Sequence, residues 1–101
     1  MVNLKWAPKS VGIDFYCDNN ILESLEGAPE YVGGIFNCYG NSKLSSLKHL
    51  PKHIGGKLYL NECPNLIEYS PLLFSKIEGT IYTDNEKVKA IENIMPYHQA
   101  V

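Results

Sequence analysis

The chain contains no arginine; all nine of its basic residues are lysine. That absence removes the bidentate fork that best recognises phosphate, carboxylate and guanine. A basic excess is missing too, since eleven acidic residues leave a formal net charge of -2. Without a basic patch, nucleic acid and anionic membrane are excluded as expected partners. No long apolar run occurs, and Asn3, Lys5, Lys9, Ser10 and Asp14 interrupt the first fifteen residues. Neither a signal peptide nor a membrane span is expected, and the chain is placed in the cytosol. Cysteine is sparse. Cys17, Cys38 and Cys63 are odd in number and widely spaced, which suits neither a disulfide framework nor a zinc site with paired ligands. They read as free, buried thiols.

What the chain does have is a repeat. The segment from Leu25 to Cys38 lies over that from Leu4 to Cys17, with Leu25/Leu4, Pro29/Pro8, Val32/Val11, Gly33/Gly12, Phe36/Phe15 and Cys38/Cys17 in step. A third copy runs from Leu47 to Leu60 and carries Pro51, Ile54, Gly55, Gly56 and Leu58. A fourth, eroded copy keeps Tyr69, Ile77, Gly79, Ile81 and Thr83, with one residue inserted between Tyr69 and Ile77. Three apolar columns follow: Val11/Val32/Ile54/Ile77, Phe15/Phe36/Leu58/Ile81 and Leu22/Leu44/Leu66/Val88. A period in this range means that each unit is one coil of a solenoid, stable only when its neighbours cover its apolar side.

Within the units, Phe15-x-Cys17-x-x-Asn20-x-Leu22, Phe36-x-Cys38-x-x-Asn41-x-x-Leu44 and Leu58-x-Leu60-x-x-Cys63-x-x-Leu66 share one shape. This pattern resembles the leucine-rich repeat, and the units resemble the short arrays of that type found in bacteriophage, other viral and bacterial proteins. The resemblance implies a scaffold whose partner differs from member to member. The expected fold is mainly β: a leucine-rich-repeat-like solenoid of about four 21–23-residue coils, with a parallel sheet on one face and a short C-terminal helical cap. The chain reads as one repeat domain, 1–101, with coils at approximately 4–24, 25–46, 47–68 and 69–90 and a cap at 91–101. Val88, Ile91, Ile94 and Met95 recur at near-helical spacing before Pro96.

Strand alternation then sorts side chains. Phe15 and Cys17 point inward, leaving Asp14, Tyr16 and Asp18 outward; the same rule exposes Ile35, Asn37 and Tyr39, then Lys57, Tyr59 and Asn61, then Thr80, Tyr82 and Asp84. Asn20 and Asn41 are expected to form an inward amide ladder. Gly12, Gly33-Gly34, Gly55-Gly56 and Gly79 stand where the chain turns into each strand, a place where positive φ would favour glycine. Pro8, Pro29 and Pro51 fix the back of each coil.

Chemistry is thin. His49 and His53 are four apart, but Pro51 lies between them and breaks any helical ligand spacing. Asp14, Asp18, Asn61 and Asp84 share the sheet face without the dense oxygen cluster that calcium wants. No catalytic residue, metal or cofactor is expected, and a small metal-dependent hydrolase built on His49, His53 and these carboxylates is the remote reading. The leading expectation is a non-enzymatic module binding another protein through Tyr16, Ile35, Asn37, Tyr39, Lys57, Tyr59, Asn61, Tyr82 and Asp84. The resemblance to phage arrays implies a host protein, including a defence component that the chain would inhibit. Four strands about 4.8 Å apart and some 17 Å long give a small face, whereas a standard interface uses about 20 to 30 residues a side. The alternative is an assembly element or homodimer joining through its open first coil, where Trp6 stands in the column of Gly27 and His49.

Overall fold

The computed structural model describes residues 4–5 and 7–95. The strands are β1 (Ser10–Val11), β2 (Phe15–Tyr16), β3 (Tyr31–Val32), β4 (Phe36–Asn37), β5 (His53–Ile54), β6 (Leu58–Tyr59), β7 (Lys76–Ile77) and β8 (Ile81–Tyr82). All pairing is parallel, in the orders β1-β3-β5-β7 and β2-β4-β6-β8. The register joins Val11, Val32, Ile54 and Ile77 in one sheet, and Phe15, Phe36, Leu58 and Ile81 in the other, as the sequence columns predict. The chain is thus a mainly β solenoid of stacked parallel strands, with about three turns between its first and last strand pairs.

One expectation needs correcting. The sequence predicts a single sheet, but the segment after each proline forms a second one. Its ladder includes Glu30 N–H to the Lys9 carbonyl at 2.7 Å, Gly33 to Val11 at 2.7 Å, Lys52 to Glu30 at 2.9 Å and Gly55 to Val32 at 2.8 Å. Each strand there shows only two residues, too few for an alternating pattern to register in sequence.

The glycine column between the sheets has a different cause from the one expected. None of Gly12, Gly33, Gly34, Gly55, Gly56 or Gly79 has positive φ. Close stacking of backbones requires glycine at Gly33, Gly55, Gly56 and Gly79 instead: a Cβ on Gly56 would stand 2.7 Å from the Gly34 carbonyl carbon, and one on Gly79 would stand 2.9 Å from the Lys57 nitrogen. Gly33 and Gly55 are pressed in the same way onto Gly12 and Gly33. A side chain there would push two coils apart.

Positive φ falls elsewhere, at Gly27 (91°), Gly40 (77°), Asn19 (53°), His49 (73°) and Glu62 (60°). Gly27 and His49 are the third residues of turns closed by Ala28 N–H to the Leu25 carbonyl and Leu50 N–H to the Leu47 carbonyl, both 2.9 Å. Positive φ at the third position is the mark of a type II turn. Ser24 and Ser46 hydroxyls accept from Glu26 and Lys48 N–H in these turns at 3.3 and 3.0 Å. In the last coil the matching residue is Pro71, which cannot adopt positive φ. The chain forms a 3-10 helix, Ser70–Phe74, in its place and buries Leu72, which accounts for the inserted residue.

The core is one column per coil position: Leu22, Leu44 and Leu66; Leu25 and Leu47; Cys17, Cys38 and Leu60; all are buried. Each fully buried leucine contributes about 1.5–3 kcal/mol relative to exposure. Phe15 stacks on Phe36 with centroids 5.7 Å apart and planes within 8°. Asn41 is fully buried and ties two coils together: its Nδ2 donates to the Cys38 and Cys17 carbonyls, each at 3.0 Å, and its Oδ1 accepts from Leu22 N–H at 3.2 Å. Asn20 is half-buried and donates within its own coil to Cys17 and Asp18 carbonyls at 3.0 and 3.1 Å. Cys63 continues the column with its thiol, 3.3 Å from the Cys38 carbonyl it donates to. The last coil ends in α1 (Glu86–Glu92), which begins before the expected 91–101 cap; residues 96–101 of that cap lie outside the described residues. Asn85 sets that start, its Oδ1 accepting from Lys87 and Val88 N–H at 2.9 and 3.2 Å.

Candidate functional site

The outer side of the β2-β4-β6-β8 sheet carries three rows of side chains across the coils. Tyr16, Asn37, Tyr59 and Tyr82 are in direct register. Asp14, Ile35, Lys57 and Thr80 precede them, and Asp18, Tyr39, Asn61 and Asp84 follow. The backbone ladder reaches both flanks, with Phe15 N–H on the Ile35 carbonyl at 2.7 Å and Gly40 N–H on the Asn61 carbonyl at 3.0 Å. These rows therefore sit on a continuous hydrogen-bonded platform, wider than the two-residue strands suggest.

The tyrosines are not equivalent. Tyr16 is 56% exposed, Tyr39 39% and Tyr82 37%. Tyr59 is half-buried because its ring lies on that of Tyr82, with centroids 4.7 Å apart and planes within 10°. Lys57 Nζ stands 5.9 Å from the Tyr82 ring centroid, an attraction to the electron-rich ring face. Asn37 breaks the aromatic row, and its Oδ1 accepts from Tyr39 N–H at 2.9 Å. Ile35 and Asn61 are half-buried, while Lys57 and Asp84 are exposed. All nine residues expected on this face are brought together there; Trp6, the self-association candidate, lies outside the described residues.

Carboxylates brace the platform. Asp14 Oδ1 accepts from Ile35 N–H at 2.7 Å, and its Oδ2 accepts from the Tyr16 hydroxyl at 3.1 Å. That hydrogen bond is the main reason the Tyr16 phenol is held above its ordinary pKa. Asp84 Oδ2 accepts from Glu62 N–H at 3.2 Å.

Beside the third row the surface dips into a groove of about 700 Å³, lined by Asn19, Tyr39, Glu62, Asp84 and Asn85 among others. Sequence reasoning missed the groove and the roles of Asn19 and Glu62. The repeat offset places Asn19, Gly40 and Glu62 in one column, and their shared positive φ makes the chain turn away from the sheet there. A glycine in register with two polar residues was the available signal.

The histidines sit elsewhere. His53 belongs to β5 of the other sheet, its Nε2 is 2.8 Å from Glu78 Oε2, and its ring lies 5.1 Å from that of Tyr31. His49 is exposed in its turn. Among the described residues, no group of three or more His, Cys, Asp or Glu side chains is placed to hold a metal. Cys17, Cys38 and Cys63 are free and buried, as expected. Among the described residues no helix is long and apolar enough to cross a membrane.

No protein family, curated protein or solved structure matches this chain. The class is defined by geometry alone: a parallel β-solenoid of short coils with a tyrosine-bearing sheet face and an adjoining groove.

Proposed function

We propose that the chain is a non-enzymatic protein-binding module that docks its partner on the outer face of β2-β4-β6-β8. The observation that carries this reading is the gathering of Tyr16, Tyr39 and Tyr82 as exposed rings on one braced platform, with Tyr59 stacked behind Tyr82. Tyrosine offers large contact area, few rotatable bonds and a hydrogen-bonding tip, which is why it is enriched at interface hot spots. The small face sets a limit, and the groove extends it. We read the coils as leucine-rich-repeat-like from their asparagine and leucine columns. By the resemblance to phage-type arrays, a host protein that the chain binds or inhibits is the partner to seek first.

The test is affinity capture from host lysate with the wild-type chain and with Tyr59→Ala/Tyr82→Ala, the variant being checked for native circular dichroism. Loss of specific captured proteins supports the reading. An identical captured set would overturn it.

A further inference from the structure

The charges on this face select the chemistry of what it receives. Among the described residues of the three rows and the groove lining, Asp14, Asp18, Asp84 and Glu62 oppose a single cation, Lys57, which is directed at the Tyr82 ring. Four carboxylates thus meet one ammonium here, although the whole chain carries a formal net charge of only -2. Lysines collect on the other sheet instead, with Lys76 in β7 and Lys9 and Lys52 directly preceding β1 and β5. Among the described residues, Glu62 and Asp84 are the only charged side chains lining the groove.

Shape adds to charge. The groove crosses the coils, since Asn19, Gly40, Glu62 and Asp84 come from successive ones. Three steps of about 4.8 Å make it roughly 14 Å long, the span of about four extended residues. Tyr39 lines it, so a cation entering there meets a phenol ring as well as carboxylates. Asp84 is fixed at the groove by the Glu62 amide. Among the described residues of this lining, an anionic ligand would find no positive side chain.

We propose that this face receives an extended lysine- or arginine-bearing segment of a partner protein, with its cationic side chains in the groove beside Glu62 and Asp84. The inference rests on the protein-binding reading above and names the partner's chemistry. Opposite charges of this kind act mainly by steering encounter and fixing register.

The test uses fluorescence anisotropy with a labelled extended peptide of alternating arginine, glycine and serine, and its counterpart with glutamate for arginine. The arginine peptide binds the wild-type chain and the glutamate peptide does not. Glu62→Gln/Asp84→Asn weakens binding about tenfold, whereas Glu23→Gln/Glu26→Gln, an equal charge change elsewhere, alters it less than about twofold. Equal weakening by both pairs, or no binding of the arginine peptide, overturns the proposal. The capture experiment separates the two readings. A partner lost with Tyr59→Ala/Tyr82→Ala but fully retained with Glu62→Gln/Asp84→Asn refutes the basic segment and leaves protein binding standing. A partner retained by both variants refutes both.

Discussion

Asn41 in the second coil donates from Nδ2 to the carbonyl of Cys17 in the first, 3.0 Å away, from a fully buried position. The same side chain serves the Cys38 carbonyl and the Leu22 N–H, so it bonds three backbone groups at once. In Asn41→Ala the two carbonyls keep second donors, Asn20 Nδ2 on Cys17 and the Cys63 thiol on Cys38, while the buried Leu22 N–H loses its acceptor. At about 1–3 kcal/mol for that unsatisfied N–H, with the loss of the bonds that cross between the coils, the expected loss is about 2 kcal/mol. Urea denaturation of the variant measures it; a loss below about 0.5 kcal/mol would show that the ladder does not hold the coils together.

Gly56 and Gly12 are both corner glycines, yet alanine should treat them very differently. At Gly56 a Cβ meets the Gly34 backbone at 2.7 Å, and backbone cannot swing aside as a side-chain tip can. At Gly12 a Cβ meets nothing within 4 Å, and the residue has no positive φ to lose. Gly56→Ala is therefore expected to cost about 2–4 kcal/mol, in the range of severe core disruptions, while Gly12→Ala stays within about 1 kcal/mol of wild type. Paired thermal melts decide the matter, and equal effects would contradict the stacking explanation.

His49 holds φ at 73° in a turn whose counterpart one coil earlier is Gly27. A residue with a Cβ in the left-handed region costs about 1–2 kcal/mol, and glycine returns part of that as extra freedom of the unfolded chain. His49→Gly is expected to stabilise the fold by about 0.5–1 kcal/mol. Denaturant midpoints of the two proteins, with unchanged slopes, are the measurement. A destabilised variant would mean that the exposed imidazole contributes more than the backbone strain removes.

The stacking axis was legible because coils repeat. Val32, Ile54 and Ile77 recur with Phe36, Leu58 and Ile81 at nearly constant spacing, and both columns pair in register. The outward tyrosines followed from alternation along one strand. What stayed hidden depends on distances between coils. Gly33 looks the same in sequence whether it relieves a turn or admits a neighbouring backbone, and only the stacked geometry distinguishes the two. The second sheet hid for a related reason: Tyr31-Val32 and His53-Ile54 are strands through their neighbours' backbone bonds rather than through a pattern of their own. The groove was missed because it is made by Asn19, Gly40 and Glu62 turning together, a backbone property that these three unlike side chains do not advertise.

The buried thiols predict how stability responds to alkali. Burial is the leading cause that raises Cys38 well above the ordinary thiol value, and the same cause raises Cys63. The neighbouring Cys17 sulfur, 3.6 Å from that of Cys38, adds to the shift there. A raised native pKa means that the unfolded chain releases its thiol protons first. The stabilisation is fully present below the ordinary thiol pKa of about 8.5 and is lost progressively as pH rises above it. Between about pH 8 and 9.5, before tyrosine ionisation intervenes, the unfolding free energy should therefore fall with pH. Cys38→Ala lowers stability at neutral pH through the cavity it leaves, but makes this alkaline slope shallower. Urea denaturation of both proteins across that pH range, under reducing conditions, compares the slopes. Identical slopes would show that the Cys38 thiol ionises as readily in the folded solenoid as in the unfolded chain.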